Sequence, residues 1–253
     1  MSAKIRLLID GDHIVYKAAA AVEKVVDWGD DISSVFADKG SASEIVEHHV
    51  EQLCEQFGTQ DYVFTVSSGK KCFRNDIYPQ YKHNRKGTRR PIILGWLRKW
   101  TEDHLDGKAI DNIEADDVCG ILATHPKYRK YRQIIVTEDK DLLTIPGSEI
   151  YIHRDDWHLK MSPEEAQEAF VKQILTGDAA DGFPGCPGVG PVKAHQIYKS
   201  IEDMNDWWSP VVAAYEKAGL AEEDALTQAR LAYILQYKNY DIKKREVKLW
   251  EPK

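Results

Sequence analysis

The sequence predicts an α/β fold. Three short apolar runs, 5–9, 61–66 and 132–136, are typical of buried strands, and segments with helical spacing such as 43–57 alternate with them. With 253 residues, of which 43% are hydrophobic, the chain can form one large α/β domain, or such a domain with a small appended module. No apolar run approaches the roughly 20 residues of a membrane span, and the N-terminus lacks a signal-peptide core.

The first predicted strand ends at Asp10-Gly11-Asp12, and a helical pattern follows through Val22. In α/β sheets, ligands bind beyond the carboxyl ends of the strands, so Asp10 is placed for chemistry. Asp12 has a second interpretation as a helix cap, with Gly11 making the turn. Polar residues 27–40 predict a loop.

Acidic residues concentrate in two windows, 113–117 and 137–141, each beside an apolar run. The five carboxylates are Glu114, Asp116, Asp117, Asp139 and Asp141. Like charges held close together raise each other's cost of ionisation unless a cation lies among them, so we expect divalent metal here. The alternative is a capping box from Asp111 to Glu114, which leaves Asp116 and Asp117 less well explained.

Segment 70–99 is strongly basic. It contains ten Lys and Arg residues against a single acid, Asp76, with Phe, Tyr and Trp side chains between them. Such runs are usually solvated faces, but in an acidic chain this excess favours a surface that contacts phosphates and unpaired bases. Pro91 is placed to begin a helix over 92–104.

The second half contains a glycine-rich turn between two predicted helices. Ser162-Pro163-Glu164-Glu165 has the pattern of a helix start, and that helix should reach about Thr176. Two acids, Asp178 and Asp181, precede a Gly/Pro-rich stretch, and a new helix is expected near Val192. Glycine backbone and a helix N-terminus together favour a phosphate. Helical patterns and a basic tail follow residue 207.

The net charge and the cysteines bear on the class of ligand and on the redox compartment. The net charge of −7 is unevenly distributed, and the nine candidate site acids alone exceed this excess, so it does not argue against a nucleic-acid substrate. The four cysteines are widely spaced, with no C-x-x-C pair. This spacing predicts free thiols in a reducing cytoplasm and argues against a zinc site.

Taken together, these motifs resemble those of the 5′–3′ exonucleases of the flap-endonuclease superfamily, and most closely the phage-encoded ones. The resemblance extends in family order from residue 5 to about 200. The matching stretches are Leu8-Ile9-Asp10-Gly11-Asp12, Tyr81-Lys82-His83-Asn84-Arg85, Glu114-Ala115-Asp116-Asp117, Thr137-Glu138-Asp139-Lys140-Asp141, and Thr176 to Asp181 with Gly185 to Gly190.

The resemblance implies a PIN-like, mostly parallel sheet flanked by helices over 1–160, with a basic arch over 70–100. It implies a helical region over 161–253 with a helix-hairpin-helix-like (helix-three-turn-helix) DNA-binding element. It also implies two Mg²⁺ or Mn²⁺ ions, and a K⁺ ion at the hairpin turn. Asp10, Glu114 and Asp116, with Asp117 close by, would serve the first metal; Asp139, Asp141, Asp178 and Asp181 would serve the second.

In this family resemblance, Lys82 and Arg85 would meet the scissile phosphate. The remaining candidate DNA contacts are Lys70, Lys71, Arg74, Tyr81, Lys86, Arg89, Arg90, Gly185, Gly188, Gly190 and Lys193. The implied activity is metal-dependent hydrolysis of duplex DNA from 5′ ends or flaps, in replication, primer removal or DNA degradation. RNA–DNA hybrids are a further expected substrate. The expected protein is a monomer without a membrane partner, in the cytoplasm, or in the host cytoplasm if a phage encodes it.

The sequence departs from the family pattern at one strand end. The family places an Asp after the second strand, where this chain has Ser67-Ser68. The first metal would then be bound more weakly, or Asp12 would compensate. Two alternatives remain open: a DNA-binding relative that has lost catalysis, and a haloacid-dehalogenase-like phosphatase with Asp10 as nucleophile and Asp12 as acid.

Overall fold

A mostly parallel sheet forms the centre of the computed structural model, which describes residues 3–30 and 32–252. In chain order, the strands in this part of the chain are β1 (Ile5–Asp10), β2 (Glu23–Gly29), β3 (Ile32–Ala37), β4 (Tyr62–Thr65), β5 (Arg132–Thr137), β6 (Glu149–Ile152), β7 (Trp157–Lys160), β8 (Tyr240–Asp241) and β9 (Glu246–Val247). The α-helices are α1 (Asp12–Ala21), α2 (Lys39–Gln56), α3 (Phe73–Ile77), α4 (Leu94–His104), α5 (Ala115–Ala123), α6 (Pro163–Thr176), α7 (Pro191–Lys199), α8 (Trp208–Lys217) and α9 (Glu222–Ala232).

The central sheet has five strands in the order β4-β1-β5-β6-β7. The first four are parallel, and β7 is antiparallel to β6. The predicted fold class, a mostly parallel sheet flanked by helices, is therefore confirmed. Because parallel strands end at one edge, the chain after β1, β4 and β5 converges there.

Both faces of the sheet are buried around residues 7–9 and 134–136, which explains why β1 and β5 are apolar there. Successive side chains of a strand point to opposite faces. Leu7 and Ile9 pack in one core with α1, α2 and α4, while Leu8 and Ile135 pack in another with α5 and α6. Each such side chain stabilises the fold by about 1.5–3 kcal/mol on full burial.

A third core connects the C-terminal helices to the first half of the chain. Phe170, Tyr215 and Leu231 belong to the same buried cluster as Phe73 and Ile121. The buried cluster thus contains residues from both sides of residue 160. The division of the chain into 1–160 and 161–253 remains a prediction.

Residues 27–40 do not form the predicted loop. The hairpin of β2 and β3 covers most of this range, with Lys24 opposite Phe36 and Val25 opposite Val35. β-Branched and aromatic side chains favour the strands, although polar residues lie between them. Trp28 and Phe36 are 64% and 54% exposed, so the hairpin leaves apolar surface uncovered.

Helix starts were predicted with mixed success. The capping box of Ser162 and Glu165 at the start of α6 is confirmed. The capping box from Asp111 to Glu114, weighed as the alternative to a metal site, is wrong by three residues, because Glu114 is itself the N-cap and Asp117 is the third residue of α5. A turn in which Leu94 N donates to Pro91 O at 3.1 Å delays α4 until Leu94.

Candidate active site

The first acid of the site is the last residue of β1. Asp10 is buried, and its Oδ2 accepts a hydrogen bond from Thr137 Oγ1 at 2.9 Å, at the end of the neighbouring strand β5. Burial raises the pKa of Asp10 to about 7, and the charges of Asp12 and Asp139 add to this increase. Asp10 is therefore in a position where its negative charge is poorly compensated.

Asp116 lies in the first turn of α5 and is near enough to Asp10 for their charges to interact. The pKa of Asp116 lies well above its ordinary value. Burial is the largest cause, and the charges of Glu114 and Asp10 raise the pKa further. The packing of α5 against β1 and β4 brings this helix start to the same edge of the sheet. Asp10, Glu114 and Asp116, the acids predicted for the first metal, thus interact electrostatically with one another.

The second group follows β5. Asp139 Oδ1 accepts a hydrogen bond from Asp141 N at 2.9 Å and begins the short 3₁₀ helix Lys140–Thr144. Burial raises the pKa of Asp141 to about 7, with further increases from the charges of Asp139, Asp178 and Asp181. The charge of Asp139 acts on both Asp10 and Asp141, so the two groups form one continuous cluster.

Asp178 and Asp181 are held by the turn after α6. Asp178 Oδ1 accepts hydrogen bonds from Ala180 N at 2.6 Å and Asp181 N at 3.1 Å. Asp178 and Phe183 exchange two backbone hydrogen bonds, of 2.9 and 3.0 Å, which close the turn. The sequence spacing of three therefore places both acids on one tight loop beside Asp141.

The basic segment reaches into this acid cluster. Lys82 Nζ forms ion pairs with Glu114 and, at 3.5 Å, with Asp181 Oδ2. Arg85 donates a hydrogen bond of 2.7 Å to Asp181 Oδ1. Burial would lower the pKa of Lys82, but the charges of Glu114 and Asp181 outweigh it and raise that pKa. The two predicted catalytic cations thus lie among the predicted metal-binding acids.

Tyr81 links the same two acids and is not a base-stacking residue in this conformation. Its ring is buried, and its hydroxyl lies 2.8 Å from Glu114 Oε2 and 2.7 Å from Asp181 Oδ2. Its one proton is shared between them. The expectation that Tyr81 contacts DNA directly is corrected, because no face of the ring is open to a nucleotide.

Arg74 and Asp117 are also corrected. The Arg74 side chain is buried and binds Asp117 through two hydrogen bonds, of 2.7 and 2.9 Å. It also donates to the carbonyl oxygens of Leu231 and Tyr233. Asp117 Oδ1 and Oδ2 accept further hydrogen bonds from Leu235 N and Glu114 N. Arg74 Nη1 also lies 3.3 Å from Glu114 Oε2, at the edge of the site. Arg74 is too buried to reach DNA, and both oxygens of Asp117 are occupied by protein donors.

The donor set fits divalent metal. Among residues 3–30 and 32–252, no three His, Cys, Asp or Glu side chains already stand at coordinating distance. However, burial and mutual repulsion raise the pKa values of Asp10 and Asp141, so the cluster holds negative charge that its own cations do not compensate. Oxygen donors without Cys or His are the ligands preferred by Mg²⁺ and Mn²⁺, and a cation would relieve this repulsion.

Comparison with known proteins identifies the family. A model described as the 5′–3′ exonuclease, N-terminal resolvase-like domain, matches residues 6–173. The chain belongs to the 5′–3′ exonuclease family. The exonuclease of Escherichia phage T7 is 25% identical over 97% of this chain and 93% of its own length. The flap endonuclease Xni of Shewanella oneidensis is 29% identical over 64% of this chain and 66% of its own length.

Solved structures of this exonuclease family have the same fold. T5 5′-exonuclease with bound zinc aligns with a TM-score of 0.70 and 14% identity, covering 90% of this chain and 89% of that protein. A bacteriophage T5 flap endonuclease in complex with DNA and metal ions aligns with a TM-score of 0.67 and 13% identity, covering 90% and 88%. The resemblance predicted from the motifs is therefore confirmed.

Ser67 follows β4, at the position where the family resemblance leads us to expect an acid. Its Oγ accepts a hydrogen bond from Ala115 N, at the start of α5, at 3.1 Å, and its own N donates to Asp12 Oδ1 at 3.2 Å. Arg98 also binds Asp12 Oδ1, at 3.0 Å. Asp12 keeps a second oxygen, so its role as a substitute acid remains a prediction.

The glycine-rich turn divides into a packed part and an open part. Gly185 is buried, its N donates to Gln228 Oε1, and an added Cβ would lie 2.3 Å from Gly177 N. The expectation that Gly185 binds DNA is therefore corrected. Gly188 and Gly190 are exposed before α7, and Lys193 Nζ donates to Gly188 O at 2.8 Å. These three remain predicted DNA contacts.

Most other predicted DNA contacts are at the surface. Lys71, Lys86 and Arg90 are exposed. Lys70 is exposed and pairs with Asp111 at 2.7 Å, and the exposed Arg89 pairs with Glu23. Their assignment to DNA remains a prediction.

The sequence interpretation missed Thr137 and the capping role of Ser67. Both are hydroxyl residues that follow or end parallel strands. Thr137 Oγ1 donates to Asp10, and Ser67 Oγ accepts from Ala115 N at the start of α5. Their position at strand ends was the available signal. Because neither side chain carries a charge, the pattern of carboxylates did not reveal them.

Proposed function

We propose that the protein is a metal-dependent 5′–3′ exonuclease and flap endonuclease that hydrolyses phosphodiester bonds of duplex DNA. The observation that carries this proposal is the convergence of seven family-motif acids and the cations Lys82 and Arg85 at one edge of a parallel sheet. Family membership supports it. The relatives named as exonucleases and flap endonucleases support both activities.

The acids would hold two ions, Mg²⁺ or Mn²⁺. Asp10, Glu114 and Asp116 would hold the first, and Asp139, Asp141, Asp178 and Asp181 the second, some of them through water. When bound, such ions activate a water nucleophile and neutralise the leaving oxygen. Thr137 orients Asp10, and Tyr81 holds its proton between Glu114 and Asp181, so both residues position ligands.

Lys82 and Arg85 would bind the phosphate that is cut. In the substrate-free protein their cations pair with Glu114 and Asp181. A phosphate is an equivalent acceptor for both, and bidentate binding suits the guanidinium of Arg85. Loading of metal on the acids would compete with these ion pairs and leave the two cations free for DNA.

The rest of the proposed DNA path is electrostatic. Lys70, Lys71, Lys86, Arg89 and Arg90 would contact phosphates of the 5′ strand, which carry no base identity. Gly188, Gly190 and Lys193 would grip the duplex backbone at the start of α7, with a K⁺ ion at that turn.

The proposal includes a biological setting. The protein would act as a monomer in the cytoplasm, or the host cytoplasm if phage-encoded, in replication, primer removal or DNA degradation. RNA–DNA hybrids would be a further substrate. None of the helices within residues 3–30 and 32–252 is long and apolar enough to cross a membrane.

The test is cleavage-site mapping on duplex, flap and RNA–DNA hybrid substrates labelled at either end. With Mg²⁺ or Mn²⁺, the protein should release products from the 5′ end, and Asp139→Ala should abolish cleavage. Glu216→Ala, which removes an exposed acid on α8, is the matched control and should cleave normally.

Two outcomes would contradict the proposal. Tight DNA binding without cleavage in either metal would identify a relative that has lost catalysis. Hydrolysis of small phosphate esters with an aspartyl-phosphate intermediate and no DNA cleavage would identify a phosphatase.

A further inference from the structure

A cavity lined by aromatic side chains lies between the C-terminal helices and the 3₁₀ helix Lys140–Thr144. Its volume is about 370 Å³, which is within the range typical of small-molecule pockets. Four rings contribute to its wall: Phe170, Trp207, Tyr233 and Trp250. We call it the aromatic cavity. The proposed function assigns it no role.

The rings of the aromatic cavity form one continuous cluster. The Phe170 ring centroid lies 5.9 Å from that of Trp207, and 5.5 Å from those of Tyr233 and Trp250, in edge-to-face contacts. Phe170 and Tyr233 are buried, whereas Trp207 and Trp250 are partly exposed. A partly exposed indole is a surface on which a planar ring can stack. The aromatic cavity therefore suits a flat ligand.

Gln167, in the wall of the same cavity, has an unsatisfied carboxamide. Its Nε2 is buried and lacks a hydrogen-bond partner among residues 3–30 and 32–252. Leaving a buried amide unpaired destabilises the folded protein, so packing alone does not account for a glutamine here. Rotation about the terminal side-chain bond, which has broad energy minima, turns the amide towards a ligand in the cavity.

The polar groups of the wall favour a nucleobase over a purely apolar ring. Gln167 and Gln236 both line the cavity, and a carboxamide can donate and accept hydrogen bonds. The edge of a nucleobase presents both kinds of partner, and glutamine can pair with the edge of adenine through two such bonds. Lys238 and Glu251, which also line the cavity, carry opposite charges, so the phosphate of a nucleotide contributes little to binding there.

The aromatic cavity is separate from the acid cluster but connected to it. At 1.5 Å per residue of helix, Gln167 is roughly 14 Å from Thr176, where α6 ends before Asp178. Thr144, in the cavity wall, donates a hydrogen bond of 2.7 Å to Asp141 O. A ligand in the cavity therefore lies against the 3₁₀ helix that holds Asp141, without occupying the metal site.

We propose that the aromatic cavity binds a nucleoside or nucleotide, with the base stacked on the exposed indole surfaces and its edge hydrogen-bonded to Gln167. An exonuclease releases nucleotides, so the supply of this ligand rests on the proposed function. The binding itself does not, because it depends only on the rings and the carboxamide of the cavity wall.

The first test is the stability of the ligand-free protein. Gln167→Met replaces the carboxamide by an apolar chain of similar length. Because it removes a buried unpaired amide, this variant should raise the melting temperature by roughly 2–4 °C. Gln52→Met makes the same change at an exposed position of α2 and should leave the melting temperature unchanged.

The second test is binding, measured by isothermal titration calorimetry in EDTA and without DNA. Deoxyadenosine and deoxyadenosine monophosphate should bind wild type with similar Kd. Deoxyribose phosphate, which lacks the base, should bind more weakly by roughly tenfold or more. Gln167→Met should weaken deoxyadenosine binding by roughly tenfold, and Gln52→Met should bind as wild type does.

Trp207→Leu is a second variant of the cavity wall. It removes a stacking ring and keeps an apolar side chain, so deoxyadenosine should bind it more weakly by roughly tenfold. Circular dichroism verifies that each variant folds.

Equal binding of deoxyadenosine by wild type and Gln167→Met would overturn the inference, as would a lower melting temperature of Gln167→Met. Deoxyribose phosphate that binds as tightly as the nucleotide would show that cations, such as those of segment 70–99, hold the ligand. Because binding is read without metal or DNA, absence of cleavage in wild type would contradict the proposed function alone.

Discussion

Arg74 and Asp117 carry opposite full charges in the interior, and the ion pair joins α3 to α5 and to the chain after α9. Removing one partner of a buried pair leaves the other charge without compensation, which costs far more than removing both. Nothing near Arg74 in the sequence distinguishes it from the exposed bases around it. Its partners lie at 117, 231 and 233, so only the folded chain identifies its role.

We expect Arg74→Met to lower the free energy of unfolding by about 3–5 kcal/mol, because Asp117 would remain buried and unpaired. Arg74→Met/Asp117→Leu should recover much of this loss. Lys71→Met, at an exposed neighbour, should change it by less than about 0.5 kcal/mol. Urea unfolding measures all three, and equal losses for the single and double variants would contradict the ion-pair explanation.

Asp141 should make the metal-free protein less stable as pH rises. Its pKa is raised from 3.8 to about 7 in the folded state, so the folded protein binds more protons than the unfolded chain between these values. Stability therefore falls across this window. In EDTA, Asp141→Asn should match wild type near pH 4 and exceed it near pH 7, by on the order of 2 kcal/mol after allowance for solvent screening.

Comparing Asp141→Asn with wild type cancels the groups that do not interact with Asp141. Burial lowers the pKa of His13 to about 4, and this group acts in the opposite direction between pH 4 and 6.5. Because His13 is present in both proteins, its contribution cancels in the difference. An Asp141→Asn advantage that does not change with pH would sink the prediction.

At the scale of elements, the hairpin of β2 and β3 is the least covered part of the described fold. Its base is attached to the basic segment where Glu23 accepts hydrogen bonds from Arg89 and from Ile92 N. The strand pattern around Gly29 could have predicted it, but the intervening Asp and Ser residues favour a loop. Because both faces of this two-stranded ribbon are partly exposed, apolar and polar residues do not alternate regularly along its strands, so the sequence lacks the usual strand pattern.

Apolar side chains on this hairpin should contribute little to stability. Trp28→Ser/Phe36→Ser should change the free energy of unfolding by less than about 1 kcal/mol in total, since both side chains are largely exposed. Phe64→Ala, at a fully buried ring in β4, is the contrasting control and should cost about 3–5 kcal/mol. Thermal unfolding compares them, and a large loss in the hairpin variant would show that it is covered in solution.

Central strands were the most predictable elements. Within the runs 5–9 and 132–136, residues 7–9 and 134–136 are buried on both faces and are therefore apolar without interruption. The edge strand β7 was not predicted, because Trp157 and His158 face solvent and leave no apolar pattern. The acids at the ends of these strands were predictable because the apolar strands before them were. Their pairing with Lys82 and Arg85 depends on residues far apart in the chain, such as Arg85 and Asp181, and could not be predicted.

At the scale of the whole molecule, the acid cluster sets the response to divalent metal. Metal that binds only the folded state stabilises it by mass action. We expect saturating Mg²⁺ or Mn²⁺ to raise the melting temperature of wild type by several degrees, on the basis of about 2–4 kcal/mol at 100–1,000 times Kd. Asp139→Ala should lose most of this shift, because Asp139 acts on both groups of acids.

Glu216→Ala is again the matched control and should retain the full shift. An equal metal-induced shift in Asp139→Ala would show that the ions bind elsewhere. Absence of any shift in wild type, in both metals, would contradict a metal site in this cluster.

The partners of Arg74 also bear on how the protein is made. The ribosome completes the sheet and the site acids long before it adds Leu231 and Tyr233, whose carbonyl groups the buried guanidinium requires. Until about residue 235 has emerged, Arg74 and Asp117 lack these partners, and α5 lacks its final anchor. We therefore expect nascent chains shorter than this to have no nuclease activity, so that synthesis itself delays the appearance of an enzyme that degrades DNA.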